Sequence, residues 1–232
     1  MRILVTRPEE DAAEISQKLR AMGHEVIAAP LLHIRFHEGP EIALDGVQAI
    51  LASSANGVRA IARRTKRRDV PLFAVGPQTE AEARAVGFTH IKNAHGDGAA
   101  LARATAEWVK SEGGALLHAA GAEAPKLLVS ALEKNGFTVR REVLYDAQAA
   151  ERLPDAAAQA LKSGALDAVM HFSSRSAKTF ADCVVREDLA APCENLIALC
   201  ISEAAAKALS PLHFREIRIA TAPNQQALLA LL

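Results

Sequence analysis

Residues 51–57 read LASSANG: an apolar run halts at two serines, and Ala, Asn and Gly lead into a helical pattern. Residues 170–176 read MHFSSRS, and the same event happens again. A buried strand that runs into small hydroxyl residues and then a helix is half of a β-α-β unit. Short apolar runs alternate with amphipathic stretches along the whole chain, the pattern of an α/β protein with parallel sheets. In TRPEEDAAEISQKLRAMGHEV (6–26), Thr6 is the expected N-cap, Pro8 lies in the first turn and Glu9 completes a capping box. Ile15, Leu19 and Met22 then share one helical face, and Gly23 stops the helix before the strand EVIAAPLL (25–32).

That strand–helix–Gly–strand unit returns as ALLHAAG (115–121), a helix carrying Leu128, Ala131 and Leu132, the stop Asn135-Gly136, and TVRREVLY (138–145). Ser53 and Ser54 are matched by Ser173 and Ser174. LFAVGPQTEAEARAVG (72–87) is echoed by ALCISEAAAKAL (198–209), and the stretch from Ile91 by the stretch from Ile217. The offset drifts only from 112 to 126 residues, so an internal duplication is expected. Its period allows two consecutive domains meeting near Gly113 and Gly114. It equally allows a crossed arrangement, in which the first β-α-β unit joins the sheet of the second half. HIRFHEGP (33–40) and RREVLYDAQ (140–148) are the polar, extended stretches where a crossing chain would run.

The chain has 232 residues, half of them hydrophobic, enough for one large domain or two small ones with real cores. Its 27 basic and 27 acidic residues cancel, which argues against nucleic acid as the main partner. The run Arg63, Arg64, Lys66, Arg67 and Arg68 is read as a solvated helix end. MRILVTRP begins a strand at once, so neither a signal peptide nor a membrane span is expected. Cys183, Cys193 and Cys200 show no CxxC spacing and are expected as small buried residues in a reducing cytoplasm. His33 and His37 have no third ligand spaced to help them, so no metal site is expected. Trp108 falls on a helix face with Leu101 and Thr105 and is read as core.

Ligands of open parallel sheets bind beyond the carboxyl ends of the strands. Helix N-termini there offer unpaired N–H groups and partial positive charge, and small residues let an anion approach. Thr6, Ser54, Gly76, Gly121, Ser174 and Ser202 stand at such places and are expected as anion seats that also cap helices. No P-loop, GxGxxG, GxSxG or HExxH occurs. No histidine is expected beside the serines as a base, since His171 alternates to the other face of its strand. The sole tyrosine, Tyr145, ends the strand EVLYDA and by itself reads as packing.

ILVTRP, APLLHI, SSANGVRAI, AVGPQTEAEARAVGF, LLHAAG, VLYDA, FSSRSAKTF and CISEAAAKAL, in this order, closely resemble uroporphyrinogen-III synthases from Ile3 to about Ala222. The resemblance implies two flavodoxin-like parallel-sheet α/β domains joined by a two-stranded β-ladder hinge, with the chain crossing between them twice. Residues 1–36 plus 149–232 would form one domain and 37–148 the other, with the active-site cleft between them. It implies cyclisation of hydroxymethylbilane to uroporphyrinogen III, with loss of water, a spiro intermediate and inversion of the last pyrrole. By position it implies Arg7, Ser53, Ser54, Gly76, Thr79, Ser173, Ser174 and Ser202 as substrate-binding residues and Tyr145 as helper of hydroxyl departure. Some members carry a threonine three residues after the Ser202 position, where this chain has Ala205. No cofactor or metal is implied. A cytoplasmic monomer is expected, in transient contact with the upstream bilane-forming enzyme.

Two other readings compete. A phosphosugar isomerase-like domain would also seat phosphate at such strand ends, with Glu203 as its only candidate base, and leaves the AVG and VLYDA stretches unexplained. A tetrapyrrole- or sugar-sensing module would bind the same anions without chemistry.

Overall fold

The computed structural model describes residues 1–232, the side chain of Glu10 excepted. The chain divides into two compact units, Met1–His33 with Gln148–Leu232, and Ile34–Ala147. Both divisions fall inside strands, three residues before the first boundary read from the sequence and one before the second. Among the described residues, no helix is long and apolar enough to cross a membrane.

Unit one holds β1 (Arg2–Val5), α1 (Glu9–Ala21), β2 (Glu25–Ala28), α6 (Asp155–Lys162), β9 (Ala168–His171), α7 (Ser174–Arg186), β10 (Ile197–Cys200), α8 (Glu203–Lys207), β11 (Glu216–Ile219) and α9 (Gln225–Leu229). Its sheet runs β2-β1-β9-β10-β11, all parallel. In chain order this is 2-1-3-4-5, the flavodoxin arrangement. Strand alternation divides its core: Leu4, Val169, Ala198 and Cys200 face one helical layer, and Ile3, Val5, Ala168, Met170 and Leu199 the other. Both faces are covered, which is why these strands read as near-continuous apolar runs.

Unit two holds β4 (Val47–Ala52), α2 (Ala55–Arg64), β5 (Leu72–Ala74), α3 (Pro77–Ala85), β6 (Ile91–Asn93), α4 (Gly98–Trp108), β7 (Ala115–Gly121) and α5 (Leu127–Lys134). β3 (Leu32–Phe36) and β8 (Val139–Ala149) carry the chain between the units. The sheet runs β3-β8-β7-β4-β5-β6. From β8 to β6 all neighbours are parallel. β3 is bonded to β8 in the opposite sense: the His37 N–H donates to the Leu144 carbonyl and the Ala150 N–H to the Leu31 carbonyl. Counted along the chain, β4 to β8 give the order 3-2-1-4-5, so unit two is not flavodoxin-like in connectivity. The flavodoxin order returns only when β7 and β8 are counted first. Each sheet therefore combines one strand–helix–strand repeat with one three-strand repeat, taken from opposite halves in unit one and from neighbouring segments in unit two.

Local expectations are corrected at several helix starts. Thr6 does not cap α1; Pro8 does, and the Thr6 hydroxyl donates to the Met170 carbonyl at 2.8 Å. Gly121 caps nothing, because residues 122–126 separate it from α5. The two serine pairs are out of step by one. Ser54 caps α2 and Ser173 caps α7, with nearly the same extended backbone, so Ser53 matches Phe172 and Ser174 is already helical. In the basic run, Arg64 donates to the carbonyls of His37 and Pro40, and Arg68 to those of Ala62, Thr65, Arg67 and Val86. These cations close the end of α2. Trp108 lies edge-on to Phe73, 5.0 Å between ring centres, and all three cysteines are buried.

Candidate functional site

In unit two, successive connections leave β4 in one direction toward β5 and β6 and in the other toward β7 and β8. The carboxyl ends of β4 and β7 are therefore the switch point at which an open parallel sheet offers a crevice. Ser53 and Ser54 follow β4 there. The Ser54 hydroxyl accepts the Gly57 N–H at 3.0 Å, satisfying one free donor of α2. Gly57 is required: a Cβ would lie 2.6 Å from the Ala119 carbonyl oxygen of β7. The absence of a side chain lets the start of α2 sit against the end of β7.

Tyr145 arrives from β8, paired with Gly121. A Cβ on Gly121 would lie 2.7–2.9 Å from the Tyr145 ring and hydroxyl, so the ring occupies the place of a side chain. The ring also packs against the core face of Ile50, Ala52 and Leu117. Its hydroxyl stands 2.8 Å from that of Ser54. Tyr145 is thus packed along its ring and polar at its tip.

Ser53 turns to the other face. His118 is register partner of Leu51 on the layer built from Ala49, Leu51 and Leu116, and its Nε2 reaches Ser53 Oγ at 3.3 Å. The sequence reading found no histidine beside the serines, and His118 corrects it. Burial, with the Arg141 guanidinium adding to it, pushes the His118 imidazole down to about 4, so it is neutral at pH 7. Arg141 is the register partner of His118 on β8 and donates to the carbonyls of Gly121 and Ala122.

One strand further, Gly76 caps α3 with an extended φ of −163°, so its conformation does not demand glycine. A Cβ there would meet nothing within 4 Å, which leaves open space above the first turn of α3. Thr79, in that turn, is buried.

In unit one the switch point lies between β1 and β9. Arg7 leaves β1 there, buried, donating to Gln225 Oε1 at 3.0 Å, paired with Asp11 at 3.6 Å and stacked on the Phe172 ring at 4.6 Å. It can take a ligand only by exchanging or extending these contacts. Ser173 accepts the Ser176 N–H at 3.1 Å and donates to the Ser176 hydroxyl. Ser174 is exposed on the first turn of α7, and Ser202 caps α8 through the Ala205 N–H. His171 is fully buried, with Nδ1 3.4 Å from the Thr6 hydroxyl and its ring edge-on to Phe180, and burial holds it near pKa 3.

Unit two therefore gathers Ser53, Ser54 and Tyr145 at one pair of strand ends, with Gly76 and Thr79 at the next. Unit one gathers Arg7 and Ser173, with Ser202 on the neighbouring strand. Sequence reading missed His118, Gly57 and the ring-on-glycine contact at Gly121. A histidine inside an otherwise apolar strand was the one visible sign of the first. Among the described residues no cluster of His, Cys, Asp and Glu is arranged to hold a metal.

A family model described as uroporphyrinogen-III synthase HemD matches residues 13–230. The uroporphyrinogen-III synthetase structure from Helicobacter pylori is similar at TM-score 0.65 and 16% identity, covering 100% of this chain and 98% of that one. A mutant uroporphyrinogen III synthase from the extremely thermophilic bacterium Thermus thermophilus is similar at TM-score 0.55 and 15% identity, covering 100% and 97%. At such identities the two structures speak to the fold. A search of curated proteins finds no matching sequence.

Proposed function

The chain belongs to the uroporphyrinogen-III synthase family, an enzyme family, and we propose that it cyclises hydroxymethylbilane to uroporphyrinogen III. The substrate is a flexible linear tetrapyrrole bearing an acetate and a propionate on each pyrrole. Water leaves its hydroxymethyl end and an electrophilic azafulvene remains. The last ring attacks through its substituted α-carbon, passes through a spiro intermediate and re-closes inverted. The overall change is loss of water without change of oxidation state, so the chemistry needs no redox partner.

The protein's work in this reading is mainly geometric, holding a polyanion so that the less accessible carbon reacts. The first-turn N–H groups and hydroxyls at Ser53, Gly76, Thr79, Ser173, Ser174 and Ser202 are proposed carboxylate seats, drawing on both units. Arg7 is proposed to join them by extending its present contacts. The β3–β8 ladder, along which the chain passes from one unit to the other, is proposed as a hinge.

The observation that carries the catalytic part is the Ser54–Tyr145 hydroxyl pair. Ser54 Oγ already accepts the Gly57 N–H, so its own hydrogen is available to the Tyr145 oxygen. Tyr145 then directs its O–H to the departing hydroxyl and eases the release of water by general-acid assistance. The enzyme is proposed to act as a monomer, touching the bilane-forming enzyme only transiently.

Hydroxymethylbilane supplied with and without the protein, followed by oxidation and separation of the type I and type III isomers, tests this reading. Type III product is expected only with the protein. Type I alone in both reactions overturns it.

A further inference from the structure

The His118–Ser53 contact has a direction. His118 is 1% exposed and its Nδ1 is buried without a hydrogen-bond partner, so Nε2 is its only engaged nitrogen. A neutral imidazole carries one N–H. Placed on Nδ1, that donor would be buried and unmet, and genuinely orphaned buried donors are rare. Placed on Nε2, it has an acceptor in Ser53 Oγ.

We propose that His118 is a positioning residue: it donates from Nε2 to Ser53 Oγ and so turns the Ser53 hydroxyl hydrogen outward, toward a carboxylate of the substrate. This deepens the function proposed above and rests on Ser53 being one of its carboxylate seats. The chain of donors runs N–H to O–H to carboxylate, and each bond polarises the next. The present 3.3 Å is long for an N–H···O bond and is expected to shorten when an anion draws on the Ser53 hydrogen. Ser53 and Ser54, adjacent in sequence, then serve opposite ends of the chemistry. One is aimed by His118 at a substrate anion, and the other hands its hydrogen to Tyr145. A neutral donor suits this role because a charged imidazole would compete with Ser53 for the anion.

Nitrogen-15 NMR of the histidines in the wild-type chain reads the tautomer without reference to activity. The Nε2–H form of His118 is expected between pH 6 and 8, as follows from a pKa held near 4, and an Nδ1–H form overturns the proposal. Steady-state kinetics of His118→Leu, His118→Gln and Ser53→Ala supply the second arm. Loss of one neutral hydrogen bond corresponds to roughly a 10-fold rise in KM, with kcat within about 3-fold. His118→Leu is expected to show that split and to add nothing in the Ser53→Ala background. His118→Gln, whose amide can donate from a similar reach, is expected to restore most of it. A wild-type KM in folded His118→Leu, or an equal rise with and without the Ser53 hydroxyl, overturns the proposal. If wild-type protein makes no type III isomer, the functional reading fails, and the tautomer still decides whether His118 aims Ser53.

Discussion

Replacing Gly121 by alanine probes the seat of Tyr145 directly. Gly121 is not among the glycines of positive φ, so alanine meets no backbone penalty and any effect is steric. The new Cβ would stand 2.7 Å from Cζ and 2.9 Å from both Cε2 and Oη of Tyr145. Carbon atoms want about 3.5 Å, so the ring must retreat by roughly 0.8 Å. A ring displaced that far stretches the present 2.8 Å hydroxyl contact to Ser54, to about 3.6 Å at the most. Overpacking of this kind costs about 1–3 kcal/mol, so the variant should fold with a lowered Tm. Misplacement of a reacting group by about 1 Å costs up to about 100-fold, and kcat for type III formation is expected to fall by about 10- to 100-fold. The same change in a Tyr145→Phe background, itself expected to lose about one to three orders of magnitude, should add little. Wild-type kcat in Gly121→Ala, or the same loss in both backgrounds, would refute the reasoning.

Thr79→Ala should lower kcat/KM by about 10- to 100-fold, because its hydroxyl is proposed to bond a substrate carboxylate and Ala205 stands at the matching repeat position; a lowered Tm with normal kinetics would return Thr79 to a structural role. Gly57→Ala should lower urea stability by about 1–2 kcal/mol, the clash with the Ala119 carbonyl outweighing the helix propensity gained; a variant as stable as wild type would show that α2 can retreat freely. Acid should weaken the fold earlier than carboxylate titration requires. His118 and His171 sit near pKa 4 and 3 when folded, below the usual 6.5, so the unfolded chain binds more protons beneath pH 6.5. Their contribution is complete above pH 6.5 and lost on acidification, at about 1.4 kcal/mol per pH unit for each histidine. Urea midpoints between pH 7 and 4.5 measure this slope, and a flat profile would refute it.

Much of this protein is written locally. Periods of 2 and 3.6, the stops at Gly23 and Asn135-Gly136, and hydroxyls before helices are set by a few neighbouring residues, so strands, helices and the duplication are legible in the sequence. So is the gathering of small polar residues at strand ends, which made Ser54, Gly76 and Ser202 visible as caps and put the cap of α7 one residue late, at Ser174 instead of Ser173. Thr6 misled because the capping-box pattern is short, and its hydroxyl found the Met170 carbonyl 164 residues away. The register of strand pairing belongs to the tertiary structure. That register set β1 beside β9, put the two serine pairs one residue out of step, laid His118 beside Leu51 and within reach of Ser53, and brought Tyr145 to Ser54 across 91 residues. A one-residue slip sends every side chain of a strand to the opposite face. Which polar groups meet is therefore decided by partners distant in the chain, and no local pattern encodes them.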